Sequence, residues 1–367
     1  MLSVGSPRKI RATAQMLSSK TADSGRLKVK AYRLFKWHTA SGWLAGGVLV
    51  WVASALTFFL AAPSSPSLPP IAQGALLNLL SLYFPVFFLA VCLLLFLTRK
   101  RSVIDWRHNF SLDQLTAVKE SIFVFSYLLI TQLMLGLWGH AGLHFPGPDI
   151  YDPSLHDLFD VGIWVGMYFA IYVVAPLVWL FFRSFDWNRL FASLRWKRDL
   201  WIIGVYWALD FFGPIVFGAR FFGLDPWLYA LGIPGGIIVN TLGAGLPVVI
   251  VMHIILIPRL VLIFENKFTT IAVAGLFYAI FSLFDPGVDY SNGQQALLSV
   301  AYIVMTQTLV GMGKAAFTIV TGNPFVHFIT LHVLSARIPL DTEMYGEILS
   351  AGYACFVNLT DECLNHS

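Results

Sequence analysis

Long apolar runs separated by short polar segments make up most of the chain after about residue 40. Runs of this kind match the roughly 20 apolar residues that an α-helix needs to cross a bilayer. The pattern predicts about nine transmembrane helices. They lie near residues 43–62, 76–97, 122–139, 161–182, 201–222, 235–257, 270–284, 296–319 and 324–340.

Composition strengthens this prediction. The chain has 367 residues, of which 57% are hydrophobic and 12% charged, and its mean hydropathy is +0.72. A soluble domain is about 25% charged. We therefore predict an all-α, polytopic transmembrane bundle surrounded by membrane lipid. Nucleic acid is not an expected partner, because the basic residues mainly set the orientation of the spans.

Basic segments alternate with acidic ones, which predicts the topology. Lys and Arg concentrate in the N-terminal tail and near residues 99–107, 183–198 and 259–267. The positive-inside rule places this side, and the N-terminus, in the cytoplasm, or in a matrix or stroma if the protein is organellar. The composition of residues 1–37 also fits a transit peptide, but we favour a cytoplasmic tail.

The same pattern divides the chain into four parts. They are a basic tail (1–37), N-terminal transmembrane helices that we assign to no family (38–182), a C-terminal core with a preceding amphipathic helix (183–340) and an acidic tail (341–367). In the amphipathic segment, Phe185 and Leu190 share an apolar face, while Arg195, Lys197 and Arg198 are predicted to face water.

Two sets of polar residues outside the spans are candidate sites. The loop 140–160 holds three His and four Asp, but their spacing fits no zinc motif, and we predict a solvated loop with no metal or cofactor. In the acidic tail, Cys355 and Cys363 are candidates for a disulfide, although two free thiols are favoured. Asn358 begins a candidate glycosylation sequon.

Ionisable side chains inside the C-terminal apolar runs are the strongest candidates for a functional site. They are His253, Asp285, Lys314, His327 and His332. A charge at membrane depth is costly, so such residues usually face the interior of a bundle or a watery cavity.

The order of motifs in this region resembles a known family. Ile257-Pro258-Arg259-Leu260, the predicted helix Gly275 to Phe284, and Thr321-Gly322-Asn323 followed by His332 occur in sequence. This order and spacing resemble the CAAX protease and bacteriocin-processing (CPBP) family of intramembrane proteases. The resemblance covers about residues 190–339 and implies a CPBP-like core, with hydrophobic or prenylated peptides as the expected partners.

The resemblance also implies a mechanism, which this chain lacks the residues to perform. The family uses paired glutamates, with histidines and an asparagine, to activate water against a peptide bond. The glutamate positions here are Val248 and Val249, and the asparagine position is Ala336. Only His332 keeps its motif residue. We therefore expect catalysis to be altered or lost.

Two interpretations of the core remain open. The first is a fold that is kept for membrane scaffolding or binding. The second is a relocated hydrolytic site formed by His253, Asp285 and His332, with Glu265 or Lys314 nearby, because a His with a carboxylate partner is a workable acid/base pair. Asn323 and His327 are further candidates. Structural roles for these residues are favoured over the relocated site.

The sequence also allows two other classes of membrane protein. Helices broken at Gly232 to Gly236 and at Gly243 to Gly245 would suit a transporter or channel, although the sequence shows no internal repeat. A haem-binding electron carrier would pair His253 with His332 across two helices.

Overall fold

The computed structural model describes residues 41–65, 67–69, 72, 84–101, 112–137, 158–217, 223–284, 288–330 and 342–350. Within these ranges the regular structure is helical and contains no strand. The elements are α1 (Ser41–Ser64), α2 (Phe84–Thr98), α3 (Gln114–Leu137), α4 (Leu158–Phe169, Ala170–Val174 and Ala175–Phe182), α5 (Trp187–Ser193), α6 (Trp196–Phe217), α7 (Pro226–Phe264), α8 (Lys267–Ser282), α9 (Gly293–Thr321), α10 (Pro324–Phe328) and α11 (342–350).

Five helices of the described part are long and apolar enough to cross a membrane. They are Ser41–Ser64, Gln114–Leu135, Val161–Phe182, Pro226–Phe264 and Gly293–Thr321. Phe88–Thr98 and Lys267–Ser282 are apolar but shorter. The prediction of an all-α, integral membrane protein with several spans is confirmed at this level, whereas the number nine stays a prediction.

Helix α7 is the centre of the bundle. In its most apolar 18-residue stretch 83% of the residues are buried, against 11% in the corresponding stretch of α1. A helix that is hydrophobic all round can be satisfied only by neighbours on every side. Outer helices instead present large apolar side chains to the exterior, such as Leu60 and Phe182, which are 76% and 78% exposed. Such surfaces suit contact with lipid.

Prolines shape the helices without breaking them. Each of the π-helical segments Ala170–Val174, Asn240–Gly245 and Val249–Leu256 ends two residues before a proline, namely Pro176, Pro247 or Pro258. Proline has no N–H to donate and its ring crowds the preceding turn, so the chain widens there instead of continuing as a regular α-helix.

The predicted breaks in this region are therefore wrong. Gly232 to Gly236 lie in regular helix and Gly243 to Gly245 lie in π-helix. Pro258 lies at the beginning of the last helical segment of α7. The backbone stays helical from Pro226 to Phe264.

Helices α8 and α9 pack closely because glycines face each other between them. A Cβ atom at Gly275 would lie 2.5 Å from the backbone oxygen of Thr308, and one at Gly311 would lie 2.4 Å from Cβ of Tyr278. Small residues allow this approach in membrane helices, where van der Waals packing is a main source of association energy.

Contacts between helix ends fit the predicted alternation of spans. Gln114 donates from Nε2 to the Ile263 carbonyl at 3.0 Å, which joins the start of α3 to the end of α7. Gln295 donates from Nε2 to the Ser67 carbonyl at 2.9 Å, which joins the start of α9 to the segment after α1. The predicted topology places the two partners of each pair on the same side of the membrane. It places Gln114 and Ile263 on the basic side.

One local expectation needs correction. The amphipathic helix is only Trp187–Ser193, so Lys197 and Arg198 belong to the first turn of α6 instead.

Helix α3 is capped by Asp113, which accepts from the Thr116 amide at 3.0 Å and also from its hydroxyl. These bonds hold the pKa of Asp113 below its ordinary value. On α2, Cys92 is exposed.

Candidate functional site

Two histidines stack face to face in the bundle interior. The rings of His253 on α7 and His327 on α10 have centroids 4.0 Å apart and planes inclined by only 15°. They are 2% and 0% exposed. His253 lies in the π-helical segment that precedes Pro258, and such segments are frequent at functional sites. His327 reaches it because Asn323 caps a new helix immediately after α9 ends.

A third helix completes this group. Nδ1 of His253 and Oγ1 of Thr318 on α9 are 2.6 Å apart, and the hydroxyl can donate to the ring nitrogen or accept from it, depending on the tautomer. One turn earlier on α9, the Lys314 ammonium donates to the hydroxyl of Tyr278 on α8. Lys314 Nζ also lies 4.6 Å from the centroid of that ring. We call His253, His327, Thr318, Lys314 and Tyr278 the histidine cluster.

The histidine cluster offers two imidazoles, two hydroxyls and one ammonium as hydrogen-bonding groups. Its described members include no carboxylate. Val248 and Val249, the positions of the paired glutamates in the resemblance, are both 0% exposed and pack in the largest apolar cluster of the bundle. Among the described residues, no group of three or more His, Cys, Asp or Glu side chains is arranged to hold a metal ion.

Asn323 has a structural role at the end of α9. Gly322 adopts the left-handed conformation, with φ 71°, that ends a helix at low cost for glycine. Asn323 then accepts from the Phe325 amide at 2.9 Å, and its Nδ2 donates to the buried Asp199 on α6 at 2.7 Å. Asp199 also pairs with Arg101 at the end of α2. This network fixes α10, and with it His327, relative to α2 and α6.

A second ionic network lies on the same face of the bundle. Glu120 on α3 accepts from Arg259 Nη2 on α7 at 2.7 Å and from Arg183 Nη2 at the end of α4 at 2.5 Å. The Arg259 and Glu120 side chains are 2% and 7% exposed, whereas the Arg183 side chain is 50% exposed. Arg259 also donates to the Ile255 carbonyl at 2.6 Å. We call Glu120, Arg183 and Arg259 the ionic triad.

The remaining predicted site residues are not in the histidine cluster. Glu265 is exposed and ends α7 in a left-handed conformation, with φ 52°. It lies twelve residues after His253, about 18 Å along the helix axis. His332, Asp285, Asn358, Cys355 and Cys363 lie outside the described residues. Whether His332 and Asp285 join His253 stays a prediction.

Sequence reasoning missed several partners. Thr318 and Tyr278 carry no charge and read as ordinary helix residues, so only the fold shows their contacts. The pairing of Glu120 was predictable, since a single acid on an apolar helix of the basic face predicts an Arg partner. His327 was a candidate residue, but its stacking on His253 of another helix had no signal in the sequence.

A comparison of this chain with protein-family models, with curated proteins and with solved structures found no match. The described helices define an integral membrane protein of the polytopic, all-α class. The CPBP resemblance rests on the order and spacing of the motifs alone.

Proposed function

We propose that this protein is a CPBP-like membrane protein without hydrolytic activity, which binds hydrophobic or prenylated peptide in its C-terminal core. The observation that carries the proposal is the burial of Val248 and Val249 at 0% exposure, within the apolar core, at the positions where the resemblance expects carboxylates. Valine can neither accept a proton nor orient a water molecule, so the inherited route to an activated nucleophile is absent.

The histidine cluster supports binding better than hydrolysis. His253 is already engaged by Thr318 through Nδ1 and by His327 through its ring face. A general base needs a ring nitrogen within hydrogen-bond reach of a water molecule, and Nδ1 of His253 already lies 2.6 Å from Thr318 Oγ1. The hydroxyl of Thr318 and the ammonium of Lys314 suit recognition of a peptide carbonyl. In an apolar core such a carbonyl would otherwise be unpaired, so a hydrogen bond to it is valuable.

The test is a paired measurement of binding and cleavage. Purified protein in lipid nanodiscs is mixed with a fluorescent farnesylated peptide and with the same peptide unmodified. Anisotropy measures binding and mass spectrometry measures cleavage. We expect saturable peptide binding and no more cleavage than in a sample of the peptide alone. His253→Ala and Lys314→Met should each weaken binding about tenfold or more, because each removes a buried polar contact.

Two outcomes would contradict the proposal. Cleavage that disappears in His253→Ala or His332→Ala would establish the relocated hydrolytic site instead. Failure of both peptides to bind at micromolar concentration would remove the ligand class. The matched control for Lys314→Met is Lys119→Met, which makes the same change at an exposed position on α3 and should leave binding unchanged.

The alternative classes lose or lack support. The transporter hypothesis rested on broken helices, and α7 is continuous through both glycine motifs. The haem hypothesis pairs membrane histidines such as His253 and His332, and it stays a prediction because His332 lies outside the described residues. Its test is the absorption spectrum of purified protein, in which a Soret band would revive it.

A further inference from the structure

A small apolar crevice lies between α3, α4 and α7, away from the histidine cluster. Its volume is about 130 Å³. Its wall is almost entirely apolar and includes Phe123, Val124, Tyr127, Ala175, Trp179 and Ile255. At the rim, the rings of Phe123 and Trp179 stack with centroids 5.6 Å apart, and Phe123 is 53% exposed on the outer surface of the bundle. The crevice is therefore reached from the side that faces lipid.

The Tyr127 hydroxyl, the polar tip of a side chain in the crevice wall, is already hydrogen-bonded. In the π-helical segment Ala170–Val174, the Ala175 amide bonds to the Ala170 carbonyl, and Pro176 has no N–H to offer to the carbonyl of Ile171. The Tyr127 hydroxyl donates to that carbonyl instead, at 2.6 Å. An apolar occupant of the crevice therefore does not leave this hydroxyl unpaired.

The ionic triad lies one helical turn from this wall on all three helices. Glu120 precedes Val124 by four residues, Arg183 follows Trp179 by four, and Arg259 follows Ile255 by four. Residues four apart share a face of a helix, so the charges form a layer over one end of the crevice. Arg259 also lies 5.3 Å from the Trp179 ring centroid.

The charge of this layer does not cancel. Glu120 neutralises one arginine, and Arg259 is the deeply buried partner. Arg183, with its side chain 50% exposed at the end of α4, remains accessible to a ligand. Two arginines and one glutamate leave one net positive charge directly over an apolar slot. A phosphate group is well matched to a guanidinium, which offers paired N–H donors.

We propose that the crevice binds a short segment of one acyl chain of an anionic phospholipid from the leaflet on the side of the ionic triad, with the lipid phosphate on Arg183. The charge complementarity selects an anionic lipid, and the crevice opens toward the lipid that supplies the chain. The bound lipid bridges α3, α4 and α7 at the point where Pro176 widens α4.

The test measures lipid retention by native mass spectrometry of the full chain released from nanodiscs. The nanodiscs hold equal amounts of phosphatidylglycerol and phosphatidylcholine with identical chains. We expect preferential retention of one phosphatidylglycerol. Arg183→Gln should reduce that preference about fivefold, the effect of one interfacial cation. Ala175→Phe, which fills the crevice from an exposed position, should abolish specific retention of either lipid.

Matched controls separate this site from general effects. Lys119→Gln removes an exposed cation on α3, and Ala53→Phe adds a ring at an exposed position on α1. Both should behave as the unchanged protein. Equal retention of the two lipids, equal loss in Lys119→Gln and Arg183→Gln, or unaltered retention in Ala175→Phe would overturn the proposal. A dimer that Ala175→Phe disrupts would show that a second copy occupies the crevice instead.

Discussion

Replacing Glu120 with Gln should destabilise the protein far more than any exposed charge change. The substitution keeps the shape of the side chain but removes its charge. Arg259 would then be a cation with 2% side-chain exposure and no counter-ion in the ionic triad. Removing one partner of a buried ion pair typically costs about 3–5 kcal/mol, because the remaining charge is left uncompensated.

The ionic triad supplies its own calibration. Arg183 makes a contact of similar length to the same carboxylate, but its side chain is 50% exposed and can be solvated when the contact is lost. An exposed ion pair contributes about 0–1 kcal/mol. We therefore expect Glu120→Gln to lower the free energy of unfolding by about 3 kcal/mol and Arg183→Gln by less than about 1 kcal/mol.

The measurement is reversible unfolding in mixed micelles, with the denaturing detergent titrated and helix content followed by circular dichroism. A double variant, Glu120→Gln with Arg259→Met, tests the cause. If the cost is an uncompensated charge, removing that charge should recover part of the loss. The double variant should then be more stable than the sum of the single changes predicts, by about 1 kcal/mol or more.

Equal stabilities of Glu120→Gln and Arg183→Gln would refute the reasoning, since burial would then not determine the cost. Additive single changes would refute it as well, because additivity means that Glu120 and Arg259 do not act on each other.

Three further predictions follow from helix contacts. Gly275→Ala should cost about 1–3 kcal/mol by overpacking, since its Cβ would lie 2.5 Å from a backbone oxygen, whereas Gly162→Ala, with nothing within 4 Å, should be neutral or stabilising in the same unfolding assay. Asn323→Ala should cost more than Asn292→Ala by about 1.5–3 kcal/mol, because both side chains cap helices but only Asn323 also bonds to a buried carboxylate. The lowered pKa of Asp113 stabilises the fold above the unfolded-state pKa, and that contribution is lost as the pH falls through the lower folded-state value. Thermal unfolding from pH 7 to pH 3 should therefore show a weaker acid dependence in Asp113→Asn than in the unchanged protein.

The lengths of the apolar runs predicted the helices well but not the continuity of α7. Apolar length identifies a span because a bilayer has a fixed thickness, and α3, α4 and α9 lie where the sequence placed them. The interior of α7 was misjudged because glycine and proline usually punctuate helices in water. In a crowded apolar core the backbone must keep its hydrogen bonds internal, so a π-helical turn is the cheaper response to Pro247 and Pro258.

Side-chain partners were predictable only where electrostatics leaves few choices. A membrane-embedded acid needs a cation, which makes the pairing of Glu120 with an arginine of the same face foreseeable. The stacking of His253 on His327 had no such signal. It depends on where α10 begins after Gly322, and that is a consequence of the packing of α6 and α9.

Each of the two ionic networks holds a residue close to one of the two stacked histidines. Arg259, held by Glu120, lies six residues beyond His253 on α7, and Asn323, held by Asp199, lies four residues before His327. Each histidine is thus fixed by an anchor within two helical turns of it. Buried ion pairs add little net stability when compared with apolar packing. They do constrain the positions of α7 and α10, the two helices whose histidine rings lie 4.0 Å apart.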